Sequence, residues 1–555
     1  MKSKFLPALL ISLCLFLFFF RLGDRPLRNP DEGRYAEVAR EMVTSGNWIE
    51  PTLYGVDYLK KPPLFYWLIA LSFKGLGFTE FAARLVPTLF GLLGVLGTFF
   101  FVRKTTGEKE AWMASALLAT NVWYLQVSRY LVIDAVFSFF LVACLYLFFL
   151  AMQPGVYKKV FYGLFYLSMG LAMLTKGPTA PVVLVLCLGS YLVLRRRFWE
   201  VFREAEPVLG LALVGLVTAP WFVLISSRKP EFFSVFLLQE HFQRFSSKGF
   251  EHQEPFYYYF AALPLMFFPW GLFLKPLEKA VGLVKKNASS PDLYLLVCAA
   301  TLVLFYSLSS SKLPTYMLPC IPLLSIPLAK GWARLMEEGS PKTSRTTLLS
   351  VVSLVLLMAA CLAVVVAPAY SKDWFRRLPE EARPGLFAIL LSFFSTSFLA
   401  MLFLSRRQWQ RLFITITLCL GLVSLPVSSM MRGMNRDYTT CHFAQVLKPL
   451  LGPDDKVYIY EHPGAFYDFA FYLDRPVKLV GLGGELEISK TDEKAREHSL
   501  DFEEFFEQVR SNISLYCLMR RSDFDGLPQD VRSALHALHE DHRKVLTSTV
   551  SINNS

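Results

Sequence analysis

Five stretches of this chain, 81–102, 207–227, 347–368, 385–404 and 412–430, are long apolar runs with few charges. A run of about 20 apolar residues crosses the ~30 Å hydrocarbon core of a bilayer as a single helix. Strands of a membrane barrel instead alternate apolar and polar residues, which these runs do not. The expected fold class is therefore a polytopic α-helical membrane protein. Hydrophobic residues make up 54% of the chain, and Phe alone contributes 50. The first apolar run ends in "FRLGDRP" without a small-residue cleavage site, so it reads as a retained span rather than a cleaved leader.

The formal net charge of +12 raises the question of nucleic acid. Its distribution argues against that partner. Lys and Arg gather in short loops, among them Arg103 and Lys104, Lys158 and Lys159, Arg195 to Arg197, Lys285 and Lys286, and Arg406 and Arg407. Every second loop is basic, the signature of loops kept on the inner side of a membrane. Alternation along the chain predicts about thirteen spans, N-terminus inside and C-terminus outside. They fall near 4–20, 81–102, 111–127, 131–151, 160–175, 178–194, 207–227, 256–274, 292–309, 317–333, 347–368, 385–405 and 412–430.

The texture changes after the last span. Residues 435–555 are polar, with alternating helix and strand signals. "FAQVLKPLL", "AFYDFAFYL", "FEEFFEQVR" and "QDVRSALHALHE" read as helices; "KVYIYE", "VKLVG", "ISLYCLM" and "KVLTSTV" read as strands. Such alternation predicts a small layered α/β domain on the outer side. The domain division is thus a membrane part, 1–430, carrying an outer juxtamembrane loop over 21–80, and a tail domain, 431–555. Seven of nine cysteines lie in spans as small buried hydrophobes. Cys441 and Cys517 lie in the tail, where oxidation is permitted, and form a candidate disulfide. No metal-type Cys/His spacing occurs.

Larger polar insertions fall on the outer side, at 21–80, 228–255 and 306–316. In the first, "NPDEGRYAEVAREM" has the marks of a helix start: Asn29 as cap, Pro30 at the first position, and Glu32 closing a capping box. Capping accounts for Glu32 and part of Asp31, but not for Arg34, Glu37, Arg40 and Glu41 beside an apolar body. In "YLKKPPLFYW", Lys60 and Lys61 precede two prolines that force an extended or turned backbone. Two fixed ammonium groups suit a phosphate; anionic lipid head groups are the competing reading. Asp134 lies about a turn inside a span, a functional candidate or half of a structural ion pair, with Arg129 close in sequence. In "LLQEHFQRF", Glu240, His241 and Arg244 would share one helical face, and His241 and Glu240 could bind metal, act as acid and base, or be solvated loop residues. Lys312, in "SKLPTYMLPCIPLL", stands at the outer mouth of two spans as an anion ligand or a snorkelling lysine. "LTKGPTAP", with Lys176, reads as a plain turn. The sequence holds no nucleotide-binding loop. A membrane enzyme without one must draw an activated group from the membrane itself, and lipid-linked phosphosugars are such donors.

These separated motifs, in this order, resemble the bacterial lipid A aminoarabinose transferases and, more broadly, the protein mannosyltransferase-like glycosyltransferases of GT-C type. The likeness is carried by "DEGRYAEVAREM", the "KPPLFYW" stretch, "EHFQRF" and "SKLPTYMLPCIPLL", over roughly residues 1–330. It implies a GT-C fold and transfer of a sugar from undecaprenyl (polyprenyl) phosphate to a glycolipid or protein acceptor. The enzyme would work as a monomer at the periplasmic face of the bacterial inner membrane. It implies Asp31 as the principal catalytic carboxylate, Arg34 as its holder, and Asp134 as a second cavity acid. Lys61 would meet the donor phosphate, with Lys60, Lys312 and Arg244 as further cations. Glu32, Tyr58 and Glu240 would orient the site, and His241 would be associated with a metal ion, zinc. Relatives place a metal-binding glutamate directly before the lysine; this chain has Lys60 there. Two other classes fit the layout less well. A lipid-linked glycan polymerase or ligase would lack the acidic helix and the KPP loop. A transporter would carry its polar residues through the midplane.

Overall fold

The computed structural model describes residues 2–236, 253–286, 291–338, 345–370, 380–483, 486, 493–511 and 513–550. The chain divides into two compact units, Met1–Leu22 with Arg84–Gly433, and Gly23–Ala83 with Met434–Ser555.

The first unit is helical. Seven helices among the described residues are long and apolar enough to cross a bilayer: Glu80–Thr105, Ile133–Ala151, Pro207–Arg228, Pro291–Leu308, Thr347–Val364, Arg383–Ser405 and Trp409–Met434. α1 (Lys2–Phe19) and the helices Lys158–Lys176, Thr179–Leu194 and Cys320–Glu338 lie at other expected spans. Their outer faces are apolar: Val208, Leu216 and Leu356 are exposed, as lipid-facing side chains are. Close helix approach depends on small residues. A Cβ on Gly331 would meet the Pro276 carbonyl oxygen at 2.0 Å. Around that contact Trp332 packs edge-on against Trp270 and Phe413, with ring centroids 6.1 and 5.5 Å away.

Two expected spans are broken. The stretch 111–127 is two helices, Glu108–Ala119 and Val122–Ser128. Asn121 caps the second by accepting from Tyr124 N at 2.8 Å, and its Nδ2 donates to the Met266 carbonyl at 2.9 Å. Backbone freed inside an apolar body must find partners within the protein, and one asparagine supplies both kinds. The stretch 256–274 is a short helix, Tyr258–Met266, followed by a tight turn at Trp270–Leu272. It continues as a helix, Leu274–Lys286, with charges on one side. Pro264 and Pro269 deny the continuous hydrogen-bond ladder a single span needs.

The second unit joins the loop after the first span to the tail. The sequence division left 21–80 with the membrane part; in the structure Gly23–Ala83 clusters with Met434–Ser555. Hydrogen bonds explain why. Leu27 N donates to the Tyr472 hydroxyl at 2.7 Å, Tyr54 donates to the Phe466 carbonyl at 2.6 Å, and Asn29 reaches Ala465 and Asp468. The loop supplies α2 (Asp31–Ser45), a hairpin of β1 (Thr52–Leu53) and β2 (Val56–Asp57), and α3 (Leu64–Leu76). Tyr54 and Gly55 turn the hairpin with φ of 58° and 73°, the left-handed pair that two-residue hairpins favour.

The tail builds a six-stranded sheet from β3 (Lys456–Tyr460), β4 (Lys478–Val480), β5 (Ser499–Leu500), β6 (Leu515–Arg520), β7 (His536–Glu540) and β8 (Lys544–Ser548). Its order is β5-β4-β3-β6-β8-β7, parallel from β5 through β6 and antiparallel beyond. Phe505, Phe506 and Val509 of the Phe502–Arg510 helix pack on Tyr458, Val480, Cys517 and Met519 of the sheet. That helix opens on a full capping box between Asp501 and Glu504. Each buried Phe contributes roughly 2–3 kcal/mol by leaving water.

Two tail expectations change. "QDVRSALHALHE" is helical only over Gln529–Ala534; His536–Glu540 is β7, paired with β8. The Val531, Leu535, Leu538 spacing suits a helix, but pairing with β8 satisfies backbone groups that β8 would otherwise leave open at an edge. The candidate disulfide is absent: Cys441 and Cys517 are both free thiols. Cys517 is a fully buried core residue of β6, whereas Cys441 opens the Cys441–Leu447 helix.

Candidate active site

α2 carries the densest charge in the Gly23–Ala83 segment, and most of it is buried. Glu37 and Arg40 form a two-pronged pair, at 2.8 and 2.7 Å. Glu32 accepts from Arg28 N at 3.0 Å and pairs with Arg25 at 3.2 Å. Glu41 accepts from Thr52 Oγ1 at 2.5 Å and from Gly55 N, tying α2 to the hairpin. Buried charges persist only when paired and hydrogen-bonded, so Glu32, Glu37 and Arg40 build the helix environment. Asp31 differs. Its carboxylate is 43% exposed, against 0% for Glu32 and 1% for Glu37. Arg34 holds it at 2.6 Å and lies 5.0 Å from the centre of the Tyr35 ring. Asp31 is thus an oriented carboxylate that still faces outward.

The start of α2 is not built by the expected cap. Pro30 occupies the cap position, and no side chain caps it. Asn29 is turned to Asp468 instead: its Nδ2 donates to Asp468 Oδ1, and its Oδ1 accepts from Asp468 N at 3.1 Å. Asp468 is fully buried and also accepts from Thr439 Oγ1, Thr440 N and Thr440 Oγ1 at 2.6–2.8 Å. Burial raises its carboxyl above the usual range, and the donors work against that shift. Gly33 permits the approach, since a Cβ there would stand 2.3 Å from Asn29 Oδ1 and 2.6 Å from Asp468 N.

The paired lysines precede α3. Tyr58 is buried, with its N donating to the Pro51 carbonyl at 2.8 Å, and Lys60 and Lys61 are half-buried. Pro63 stands at the N-terminal boundary of α3. Tyr35 of α2 meets Phe65 edge-on at 5.1 Å and Tyr66 at 6.0 Å. These contacts join the second turn of α2 to the first turn of α3. They bring the segment bearing Asp31 and Arg34 alongside the one bearing Lys60 and Lys61. Helix N-termini present partial positive charge and free N–H groups, so two of them beside paired lysines suit an anion.

In the helical unit, Asp134 sits in the first turn of Ile133–Ala151. Its Oδ1 accepts from Lys176 at 2.5 Å and its Oδ2 from Thr315 Oγ1 at 3.0 Å. Lys176 also lies 4.3 Å from the Tyr316 ring centre. Arg129, the neighbour in sequence, donates to the Leu17 and Phe20 carbonyls and so ties down the end of α1. Lys176 reads as a turn residue from the sequence alone. A lone lysine closing a span on the face that holds an intramembrane acid was the available signal. Lys312 is buried and donates to the Glu254 and Ser309 carbonyls at 2.8 and 2.6 Å. Glu240, His241 and Arg244 lie outside the described residues. Of the metal set implied by the family likeness, position 60 does not fit, because an ammonium group has no lone pair to give.

Residues 60–224 match the family described as dolichyl-phosphate-mannose-protein mannosyltransferase. An undecaprenyl phosphate-alpha-4-amino-4-deoxy-L-arabinose arabinosyl transferase of Shewanella sediminis is 31% identical over 503 residues, 87% of this chain and 88% of its own. The enzyme of that name from Erwinia tasmaniensis is 30% identical over 534 residues, 93% and 94% of the two chains. The crystal structure of ArnT from Cupriavidus metallidurans bound to undecaprenyl phosphate superposes with a TM-score of 0.86, at 23% identity, over 99% of each chain. Similarity that runs the length of both chains, with the same fold, has one reading: the chain belongs to the undecaprenyl phosphate-aminoarabinose arabinosyl transferase family of GT-C membrane glycosyltransferases.

Proposed function

We propose that this glycosyltransferase moves 4-amino-4-deoxy-L-arabinose from undecaprenyl phosphate onto a phosphate of a lipid A-type glycolipid, as a monomer at the periplasmic face of the inner membrane. The observation that carries the reading is the open Asp31 carboxylate held by Arg34, on a helix otherwise filled with buried ion pairs. The leaving group is a lipid phosphate whose charge grows as the glycosidic bond breaks. Lys61 and Lys60, fixed ahead of the two prolines, supply positive charge to it. Asp31 faces the acceptor. A phosphate acceptor is already nucleophilic, so Asp31 orients it more than it deprotonates it; with a hydroxyl acceptor it would serve as base. One displacement inverts the anomeric carbon.

A second reading concerns the sugar. Lys60 puts a cation where the family resemblance implies a glutamate, and a cation beside the donor disfavours an amino sugar, itself cationic. A neutral sugar is the alternative cargo. Purified protein is incubated with lipid A and either undecaprenyl phosphate-linked aminoarabinose or a neutral undecaprenyl phosphate hexose. Release of undecaprenyl phosphate with an aminopentose added to lipid A is the expected result. Turnover of the hexose donor alone supports the second reading, and glycosylated protein as the only product replaces the acceptor.

A further inference from the structure

The side chains of Glu461, His462 and Asp523 converge in the tail domain, each offering a ligand atom within 4.8 Å of the other two. Topology makes the cluster. Glu461 and His462 follow the last residue of β3, and Asp523 lies in the helical turn Arg521–Asp525 that follows β6. β3 and β6 are parallel neighbours, so both segments leave the same edge of the sheet. From β3 the chain moves outward through β4 and β5, then returns to β6 on the other side of β3. That crevice is the switch point of the sheet, where open α/β sheets bind ligands.

Three observations set the cluster apart from ordinary surface acids. The side chains of Glu461 and His462 have no hydrogen-bond or ion-pair partner among the described residues. Asp523 Oδ1 accepts from the Ser522 hydroxyl at 3.1 Å, while its Oδ2 is closed off from solvent and has no partner. Glu461 adopts φ +54°, the left-handed region, without being glycine. Its N donates to the Val480 carbonyl at 2.8 Å, and Gly483 packs so closely that a Cβ there would meet the Glu461 carbonyl oxygen at 2.5 Å. Backbone held in that region turns the side chain off the strand's path. Among the described residues, the side chains of Glu461 and Asp523 form no ion pair with a lysine or arginine. Arg521 is engaged by Glu540 and Asp525, and Arg520 is exposed with no ion pair among the described residues.

We propose that Glu461, His462 and Asp523 form a divalent transition-metal site of the zinc type, with three protein ligands and an open position. One imidazole and two carboxylates match the donor chemistry of such ions. Zinc ligands about 2.0–2.2 Å from the ion stand ~3.4 Å apart, so the side chains draw in by roughly 1.4 Å or less. The ion clips the turn after β3 to the turn after β6. The site shares no residue with the His241 set of the family likeness, and it stands whichever sugar the enzyme carries.

The test uses the full chain in detergent, purified without a polyhistidine tag, stripped with EDTA and titrated with Zn²⁺. One equivalent binds and raises the thermal midpoint. Glu461→Gln, His462→Gln and Asp523→Asn each weaken binding by at least about tenfold, the lower range for losing even an outer-shell partner. His536→Gln, an exposed tail histidine, leaves binding unchanged. X-ray absorption on the zinc-loaded wild type gives one imidazole and oxygen ligands, and needs no variant to fold. Failure of the wild type to take up zinc overturns the assignment. So does unchanged affinity in all three variants, or a spectrum showing sulfur or several imidazoles.

Discussion

Lys176 and Asp134, 42 residues apart in sequence, close an ion pair at 2.5 Å in which each side chain is almost shut off from solvent. Two helix ends contribute one charge each, and Thr315 takes the remaining carboxylate oxygen. Removing one partner strands the other. Lys176→Met should destabilise the protein by about 3–5 kcal/mol, whereas the double variant Lys176→Met with Asp134→Leu should recover most of that loss. Thermal or denaturant unfolding in detergent measures both. Strict additivity of the two single losses would mean that the pair contributes no coupling.

Asp31→Asn keeps the size and hydrogen-bonding capacity of the side chain and removes its charge. Turnover should fall by about 10²–10⁴-fold with the thermal midpoint unchanged. Glu32→Gln should behave in the opposite way, losing stability before turnover, because Glu32 is fully buried against Arg25 and the Arg28 amide. Equal loss of turnover in both variants, with both stable, would end the distinction between the two neighbours.

Burial, with Glu37 beside it, pushes the Glu41 carboxyl up to about 8. The unfolded chain releases that proton near pH 4.3, so between pH ~4.3 and ~8 the folded state holds more protons than the unfolded. Stability from this group is therefore full below pH ~4.3 and declines as pH rises towards 8. Glu41→Gln should flatten that part of the pH–stability curve. An unchanged slope would show that Glu41 ionises normally in its hairpin contact.

Lys60 bears on metal dependence. With an ammonium group at position 60, which has no lone pair for a metal ion, transfer should proceed in the presence of chelator at an unchanged rate, even as the tail gives up its ion. Assaying turnover against EDTA, with zinc content followed in parallel, separates the two sites. Activity that falls together with zinc content in the Glu461→Gln protein as in wild type would place a working metal elsewhere in the chain.

Loop charge predicts a tail on the periplasmic side. Ser533, exposed in the tail, should react as Ser533→Cys with a membrane-impermeant thiol reagent applied to cells whose outer membrane alone is opened. Cys441 and Cys517 are first replaced by Ser and Ala. Labelling that appears only after the inner membrane is breached would reverse the orientation.

Much of the architecture is legible because it depends on local pattern. Apolar length marks the spans, and period-two and helical signals mark most tail elements. What escaped depends on partners distant in the chain. Lys176 looks like a turn residue until Asp134 arrives from another helix. Asn29 has the chemistry of a cap, but the Asp468 carboxylate and amide offer it a fully buried pair of bonds. His536–Glu540 has helical spacing, yet the open edge of β8 decides its state. Position 33 announces itself only as a glycine in a helix, normally a cost; the reason, a backbone passing within contact distance, is three-dimensional.

The Asn29–Asp468 bond pair also sets an order of assembly. Its halves are 439 residues apart, and a ribosome working at about 5–20 residues per second needs on the order of 20–90 s to supply the second after the first. During that interval the helix bearing Asp31 lacks the carboxylate that anchors its leading end. A nonsense mutation anywhere before codon 468 would leave the helix bearing Asp31 without that anchor, however complete the membrane-spanning body.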